Sequence, residues 1–188
     1  MNKSGFTLIE ALIVIMVTMM MTSILITSSR TSNKQILLFK EQAVFINTIS
    51  RAKSLAIGTF QPALTTGGST QPICGWGVHV LGSGSGYILF KDLGTLGPPP
   101  SCVGTGTYSA DEAFETFTLD PAVHLSGAVP QDASGGLDVV FRPPQPIVFI
   151  NGATGTFAPP EATIMMGVVG STNPSTVTIT QGGQVSID

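Results

Sequence analysis

Glu10 is the only charged side chain between Lys3 and Arg30. It precedes nineteen uncharged residues, Ala11 to Ser29, a run about long enough to cross a bilayer as a helix. A carboxylate beside a membrane span is costly to desolvate and usually has a function, such as pairing with a cation. A simpler interpretation is that the side chain reaches the polar interface. The segment predicts a membrane-anchored chain with an acidic group where the anchor begins.

Elsewhere the chain lacks the residue patterns of common catalytic sites. It contains no GxSxG nucleophile elbow, no GxxxxGK[ST] phosphate loop and no HExxH zinc motif. His79 and His124 are isolated in the sequence, and His79 fits an ordinary half-buried histidine in a strand. We therefore expect no enzymatic activity, no cofactor and no metal site.

One acidic group has oxygens that calcium would accept, but its spacing matches no calcium loop. A solvated acidic loop is the alternative. The group consists of Asp111, Glu112, Glu115 and Asp120.

The two cysteines, Cys74 and Cys102, form no CxxC pair, so a redox or zinc motif is unsupported. If this part of the chain lies outside the cytoplasm, a disulfide between them is allowed. Closing that loop would contribute roughly 3 kcal/mol to stability. Two reduced thiols that never meet are the alternative.

Composition and charge divide the chain near Gly58. Residues 1–57 carry six basic and two acidic side chains, whereas residues 58–188 carry two basic and nine acidic ones. The acidic part would repel a phosphate backbone, so nucleic-acid binding through it is disfavoured. The 22 glycines and 13 prolines favour a β-rich domain over a helical bundle.

Hydrophobic periodicity predicts one long helix from Phe6 to Ile57, which no proline or glycine interrupts and which Gly58 can cap. Its second half carries an apolar stripe that should pack under a domain. We expect the stripe to comprise Leu37, Val44, Ile49, Ala52 and Ala56.

After Gly58 the pattern changes to short strands with glycine and proline turns, which predicts an antiparallel two-sheet sandwich and an α+β fold. Gly182-Gly183 predicts a two-residue hairpin loop. The expected strands are Trp76–Val80, Tyr87–Phe90, Thr116–Leu119, Val123–Leu125, Leu137–Phe141, Ile147–Ile150, Thr163–Val169, Thr176–Thr180 and Gln184–Ile187.

The apolar run is too long for a typical Sec signal, although small residues at 27–29 leave late cleavage as an alternative. The string Gly5-Phe6-Thr7-Leu8-Ile9-Glu10 instead resembles the start of type IV prepilins and pseudopilins. The order of later segments resembles the GspH/FimT family of minor pilins and pseudopilins. These segments are Ile49–Ile57, Cys74–Val78, Ile88–Asp92, Val139–Pro143 and Val177–Val185.

That resemblance implies a pilin-like fold with a leader (1–5), a membrane-spanning and assembly segment (6–29), an amphipathic segment (30–57) and a periplasmic β-domain (58–188). Prepilin peptidase would cut between Gly5 and Phe6 and methylate the Phe6 amine. This amine lies one helical turn before Glu10, which would pair with the amine of an adjacent subunit.

The implied function is a non-catalytic minor pseudopilin of a type II secretion system, anchored in the bacterial inner membrane. Its partners would be prepilin peptidase, other pseudopilins or pilins, membrane lipid and the assembly platform. The alternative is a FimT/FimU-type minor pilin of a type IV pilus, with a role in priming, adhesion or DNA uptake. Residues 173–188 contain no lysine or arginine, unlike DNA-binding members of this family, and this favours the secretion branch.

Overall fold

The computed structural model describes residues 7–58, 71–94, 105–132, 134–143, 147–153, 161–171 and 174–188, without the side chains of residues 27–32. A single helix, α1, spans Leu8–Gly58. The chain forms two compact units, Met1–Leu37 and Leu38–Asp188, which divide within this helix. The predicted long helix is confirmed over its described length, and Phe6 lies outside the described residues.

The first unit exposes an apolar helix surface. Every side chain from Leu8 to Ile26 is exposed, and this segment has a mean hydropathy of 2.3. Among the described residues it is the one helix that is long and apolar enough to cross a membrane. This unit does not bury the apolar surface within itself, so its surroundings must cover it.

In the second unit α1 buries one face. Phe45 and Ala52 are fully buried, and Ile49 and Ala56 are nearly so. The predicted stripe is therefore correct for its last three positions but wrong at Val44, which is 39% exposed. Phe45 takes the buried place because it lies four residues before Ile49, one helical turn away. Leu37, the first predicted position, is only half-buried.

The described residues after α1 form strands in every region where the sequence predicts one. They are β1 Ile73–Val80, β2 Gly86–Leu93, β3 Ala113–Thr118, β4 Val123–Val129, β5 Leu137–Arg142, β6 Ile147–Ile150, β7 Glu161–Val168, β8 Ser175–Thr180 and β9 Val185–Ile187, with a 3₁₀ turn at Ala110–Glu112 before β3.

The strands form two antiparallel sheets. One has the order β3-β2-β1-β5-β6, and the other has the order β4-β7-β8-β9. All strand pairs are antiparallel. The predicted α+β, pilin-like architecture of one long N-terminal helix followed by a two-sheet antiparallel β-domain is confirmed.

The two faces of the five-stranded sheet differ: one packs against α1, and the other carries polar side chains. Val80 pairs with Tyr87, so both side chains share one face. The Tyr87 ring contacts the Phe45 ring of α1 edge-on at 4.8 Å, so this face is packed against the helix. His79 lies on the opposite face and pairs with Asp138 of β5.

The helix also contacts the four-stranded sheet. Gln42 donates a hydrogen bond to the Ser175 hydroxyl at 2.8 Å, and the Lys53 ammonium donates to the Gly183 carbonyl at 3.0 Å. Gln42 is buried at 3% exposure, and a buried polar side chain needs a hydrogen-bond partner, which Ser175 supplies. One face of the helix thus contacts both sheets.

The hairpin predicted at Gly182-Gly183 connects β8 and β9, but its loop differs from the prediction. The Thr180 amide donates to the Gln184 carbonyl at 2.9 Å, which leaves three residues in the loop. Gly183 has φ +71°, the left-handed conformation that closes a three-residue hairpin.

Replacing Phe45 by alanine should lower the free energy of unfolding by about 3 to 5 kcal/mol, since it removes a fully buried ring. Replacing the adjacent Val44 by alanine should change it by about 0.5 kcal/mol or less. Urea unfolding of the detergent-solubilised chain, followed by the fluorescence of its single tryptophan, Trp76, measures both. Equal losses for the two variants would contradict the observed helix face.

Candidate functional site

The described part of the N-terminal segment begins with a capped helix. The Thr7 carbonyl accepts hydrogen bonds from the Glu10 and Ala11 amides at 3.1 and 3.2 Å. The Thr7 hydroxyl also accepts from the Glu10 amide at 3.4 Å. These bonds supply acceptors to the free amides of the first turn, the role of an N-cap residue.

Glu10 lies in the first turn of α1 and is exposed. A carboxylate in this position is favoured by the partial positive charge of the helix N-terminus. Its neighbours Leu8, Ile9 and Leu12 are apolar and 59% or more exposed. In an apolar environment such a carboxylate would take a cationic partner, since an unpaired charge there is costly.

Three hydroxyls farther along the exposed apolar segment are already satisfied. Thr18 donates to the Ile15 carbonyl at 2.9 Å, and Thr22 and Ser23 donate to carbonyls one turn back at 2.6 and 3.0 Å. Intrahelical bonds of this kind let hydroxyls enter an apolar phase without unpaired donors.

The two predicted processing residues, Gly5 and Phe6, lie outside the described residues, so cleavage and methylation there stay predictions. Cys74 lies in β1 at 2% exposure and is disulfide-bonded. The chain's other cysteine, Cys102, also lies outside the described residues. The predicted Cys74–Cys102 pairing therefore stays a prediction.

The acidic group that the sequence offered for calcium has protein partners instead. The Glu112 carboxylate accepts from the Leu93 and Ser109 amides at 2.8 and 3.0 Å. Glu115 pairs with Arg51 of α1 at 2.6 Å, and Asp120 accepts from the Ala122 amide at 2.9 Å. These bonds favour structural roles.

Burial raises the pKa of Glu112, and the two amide hydrogen bonds offset part of this effect. A raised pKa means that the folded state binds this proton more tightly than the unfolded chain does. Glu112 therefore makes the folded state less stable as the pH rises from 4.5 through the folded-state pKa.

A polar cluster that sequence reasoning missed lies on the face of the five-stranded sheet opposite α1. It consists of His79, Asp92, Asp138 and Arg142. The His79 Nδ1 is 2.7 Å from the Asp138 Oδ1, and the Arg142 Nε donates to the Asp92 Oδ2 at 2.7 Å. Asp92 and Asp138 are buried at 0% and 2% exposure.

The polar cluster holds the segment 105–109 against the sheet. Asp92 accepts from the Gly106 amide at 3.2 Å, and Asp138 accepts from the Tyr108 amide at 3.0 Å. The Tyr108 ring stacks on the His79 ring with centroids 4.5 Å apart. The period-two spacing of Asp138 and Arg142 within one strand indicates a shared polar face, but only strand pairing adds His79 and Asp92 to it.

The N-terminal segment matches a known family model. Residues 1–26 match the family model of the prokaryotic N-terminal methylation motif. This prepilin-type motif supports a type IV pilin-like protein that is processed by prepilin peptidase, assembles with other pilins and is membrane-anchored as a structural subunit. The match covers the residues that cap α1 and the exposed apolar segment that follows. Comparison with curated proteins and with solved structures finds no match.

Peptide mapping without reductant should recover one peptide pair that joins Cys74 to Cys102. Replacing Cys102 by serine should free the Cys74 thiol and lower the free energy of unfolding by roughly 3 kcal/mol. Because Cys74 is buried, its alkylation in that variant should be fast only after denaturation. Alkylation of both cysteines in unreduced, denatured protein would contradict the pairing.

Proposed function

We propose that the protein is a minor pseudopilin of the GspH/FimT family, a non-catalytic structural subunit of a type II secretion pseudopilus. The observation that carries the proposal is the methylation motif at residues 1–26, which coincides with an exposed apolar helix that has Glu10 in its first turn. The helix and two antiparallel sheets that follow fit the architecture which the resemblance implies.

In this proposal prepilin peptidase cuts between Gly5 and Phe6 and methylates the new Phe6 amine. The amine is one helical turn from Glu10 in sequence, so an ammonium and a carboxylate share one apolar layer. Each can offset the other's desolvation, either within one subunit or between neighbours. Pairing with a neighbour's amine would set the register in which subunits assemble.

The second unit supports helix-to-subunit packing with an uncharged stripe on the outer side of α1. Phe39, Ala43 and Ile57 are exposed there, with Ile46 half-buried and Ser50 exposed between them. Successive members are four, three, four and seven residues apart, the spacing of a seam between helices. Phe39 and Ile57 are 66% and 59% exposed, and a neighbouring subunit would cover them.

The proposed location is the inner membrane, crossed once by residues 6–29, with residues 30–57 as the amphipathic helix segment and residues 58–188 as the periplasmic domain. The candidate span Leu8–Ile26 supports this division. The proposed partners are the peptidase, membrane lipid, the inner-membrane assembly platform and the other major and minor subunits, with a position near the filament tip.

The charges of the β-domain disfavour the DNA-uptake function of the alternative, a type IV minor pilin. Residues 58–188 contain two cationic side chains, Lys91 and Arg142. Arg142 pairs with the buried Asp92, and the Lys91 ammonium lies 5.0 Å from the Phe114 ring centroid and 5.8 Å from that of Trp76. These contacts and the nine acidic residues leave little positive potential for a phosphate backbone.

Replacing Glu10 by glutamine should leave cleavage intact but abolish incorporation into filaments. The amide keeps the size of the side chain and loses the charge that would pair with the Phe6 amine. Mass spectrometry of the N-terminal peptide should still show methylated Phe6, while sheared filament fractions should lack the variant.

Glu41→Gln provides the matched control, because Glu41 is the other carboxylate of α1 and lies in its second unit. That variant should be cleaved and incorporated like the parent. Normal incorporation of the Glu10 variant, or a parent protein in cells that begins at Met1, would contradict the assembly mechanism.

Deleting the gene should abolish protein secretion and leave surface pili and twitching intact. Secretion should fail because a minor pseudopilin is needed to build the secretion pseudopilus. Secretion assays and pilus counts on one strain, with complementation, measure both effects. Loss of pili with normal secretion would overturn the secretion assignment and establish the type IV pilus alternative.

A further inference from the structure

The polar cluster contains a histidine–carboxylate pair that the proposed assembly function does not use. His79 and Asp138 are directly opposite each other on β1 and β5, so their side chains share one face. Their side chains are 10% and 3% exposed. A buried carboxylate whose side-chain charge partner is an imidazole is an electrostatically costly arrangement unless further positive charge is supplied.

A third ligand-type side chain, Asp132, comes from the loop before β5. Its Oδ1 accepts hydrogen bonds from the Ser134 amide and hydroxyl at 2.8 and 2.6 Å and from the Gly136 amide at 2.7 Å. Burial acts to raise the pKa of Asp132, but these bonds and the nearby His79 outweigh it and lower the pKa. One Asp132 oxygen, Oδ1, is therefore committed to the loop.

The loop backbone comes close to these groups at Gly136. A Cβ placed on Gly136 would lie 2.9 Å from the His79 Cε1 and 3.2 Å from the Asp132 Oδ2. It would also lie 2.8 Å from the Val80 carbonyl, which is rigid backbone. Glycine at this position therefore lets the loop lie close to the imidazole edge and to the second Asp132 oxygen, since a Cβ here would clash with the Val80 carbonyl.

The charge balance at this place is negative. Asp132 and Asp138 bring two carboxylates and His79 brings at most one positive charge. Residues 58–188 contain two basic side chains, and both have other partners. Lys91 lies over the Phe114 and Trp76 rings, and Arg142 pairs with Asp92. A divalent cation would supply the missing positive charge.

We propose that His79, Asp132 and Asp138 bind one divalent transition-metal cation, with Zn²⁺ as the test ion. One ligand atom from each residue lies within 4.8 Å of the others. One imidazole nitrogen and two carboxylate oxygens suit zinc, which commonly takes three protein ligands and a water molecule. The ion would join β1, β5 and the loop before β5 and thereby stabilise the β-domain.

Binding requires the ligand atoms to rearrange. The His79 Nδ1 and the Asp138 Oδ1 are 2.7 Å apart, a hydrogen-bond distance. Two ligands that are each about 2.0 to 2.2 Å from a tetrahedral ion lie about 3.4 Å apart. The pair therefore separates slightly and loses the shared proton if both atoms ligate.

The test uses the full chain in detergent after removal of metal with a chelator. Calorimetry should show one Zn²⁺ per chain. Thermal unfolding, read by Trp76 fluorescence, should shift upward by about 5 to 10 °C at a Zn²⁺ concentration about a hundredfold above the dissociation constant. Asp132→Asn keeps an Oδ1 for the loop hydrogen bonds and replaces the Oδ2. It should weaken binding at least about tenfold.

His79→Gln should also lose the zinc-dependent shift. His124→Gln is the matched control, because it removes the only other histidine and should bind Zn²⁺ like the parent. If His79→Gln fails to fold, Asp132→Asn with its intact loop still decides the question. No stoichiometric binding by the parent would overturn the site, and so would binding that Asp132→Asn leaves unchanged or that His124→Gln removes.

Discussion

The rest of this structure depends on the need to cover the apolar surface of α1. The β-domain covers one face of the helix in the second unit, where Phe45 and Ala52 are fully buried. In the first unit, every side chain from Leu8 to Ile26 is exposed. Because apolar surface of this extent is unfavourable in water, lipid or other subunits must cover it. The methylation motif at residues 1–26 agrees with both kinds of cover.

Polar groups along α1 are arranged to suit these different surroundings. In the exposed apolar segment, hydroxyls such as those of Thr18 and Thr22 bond carbonyls of their own helix and need no outside partner. In the second unit, Gln42 and Lys53 bond the four-stranded sheet instead. Glu10 differs from these residues because it is a charged group in an apolar segment. It is therefore the group whose pairing most strongly depends on what surrounds the helix.

The β-domain has a second polar arrangement that is separate from the helix. On the face of the five-stranded sheet opposite α1, Asp92 and Asp138 hold the segment 105–109 through backbone amides. The same face places His79 beside Asp138 and near Asp132, where a cation would balance two carboxylates. The proposed filament assembly through α1 and the proposed ion binding in the β-domain use different residues, so each can be tested without disturbing the other.

The sequence by itself determined the features that depend on neighbouring residues. Helical and strand periodicities are local, so α1, the strand positions and the exposed apolar anchor could be predicted, as could Glu10 in its first turn. Val44 and Phe45 differ by one position on the helix; the spacing from Ile49 favours Phe45, and the contact of its ring with Tyr87 shows that Phe45 is the buried residue. The neighbours of His79 required tertiary structure, since its pairing with Asp138, 59 residues away, exists only when β5 lies beside β1. Strand order is set by packing between distant segments, and no local pattern encodes it.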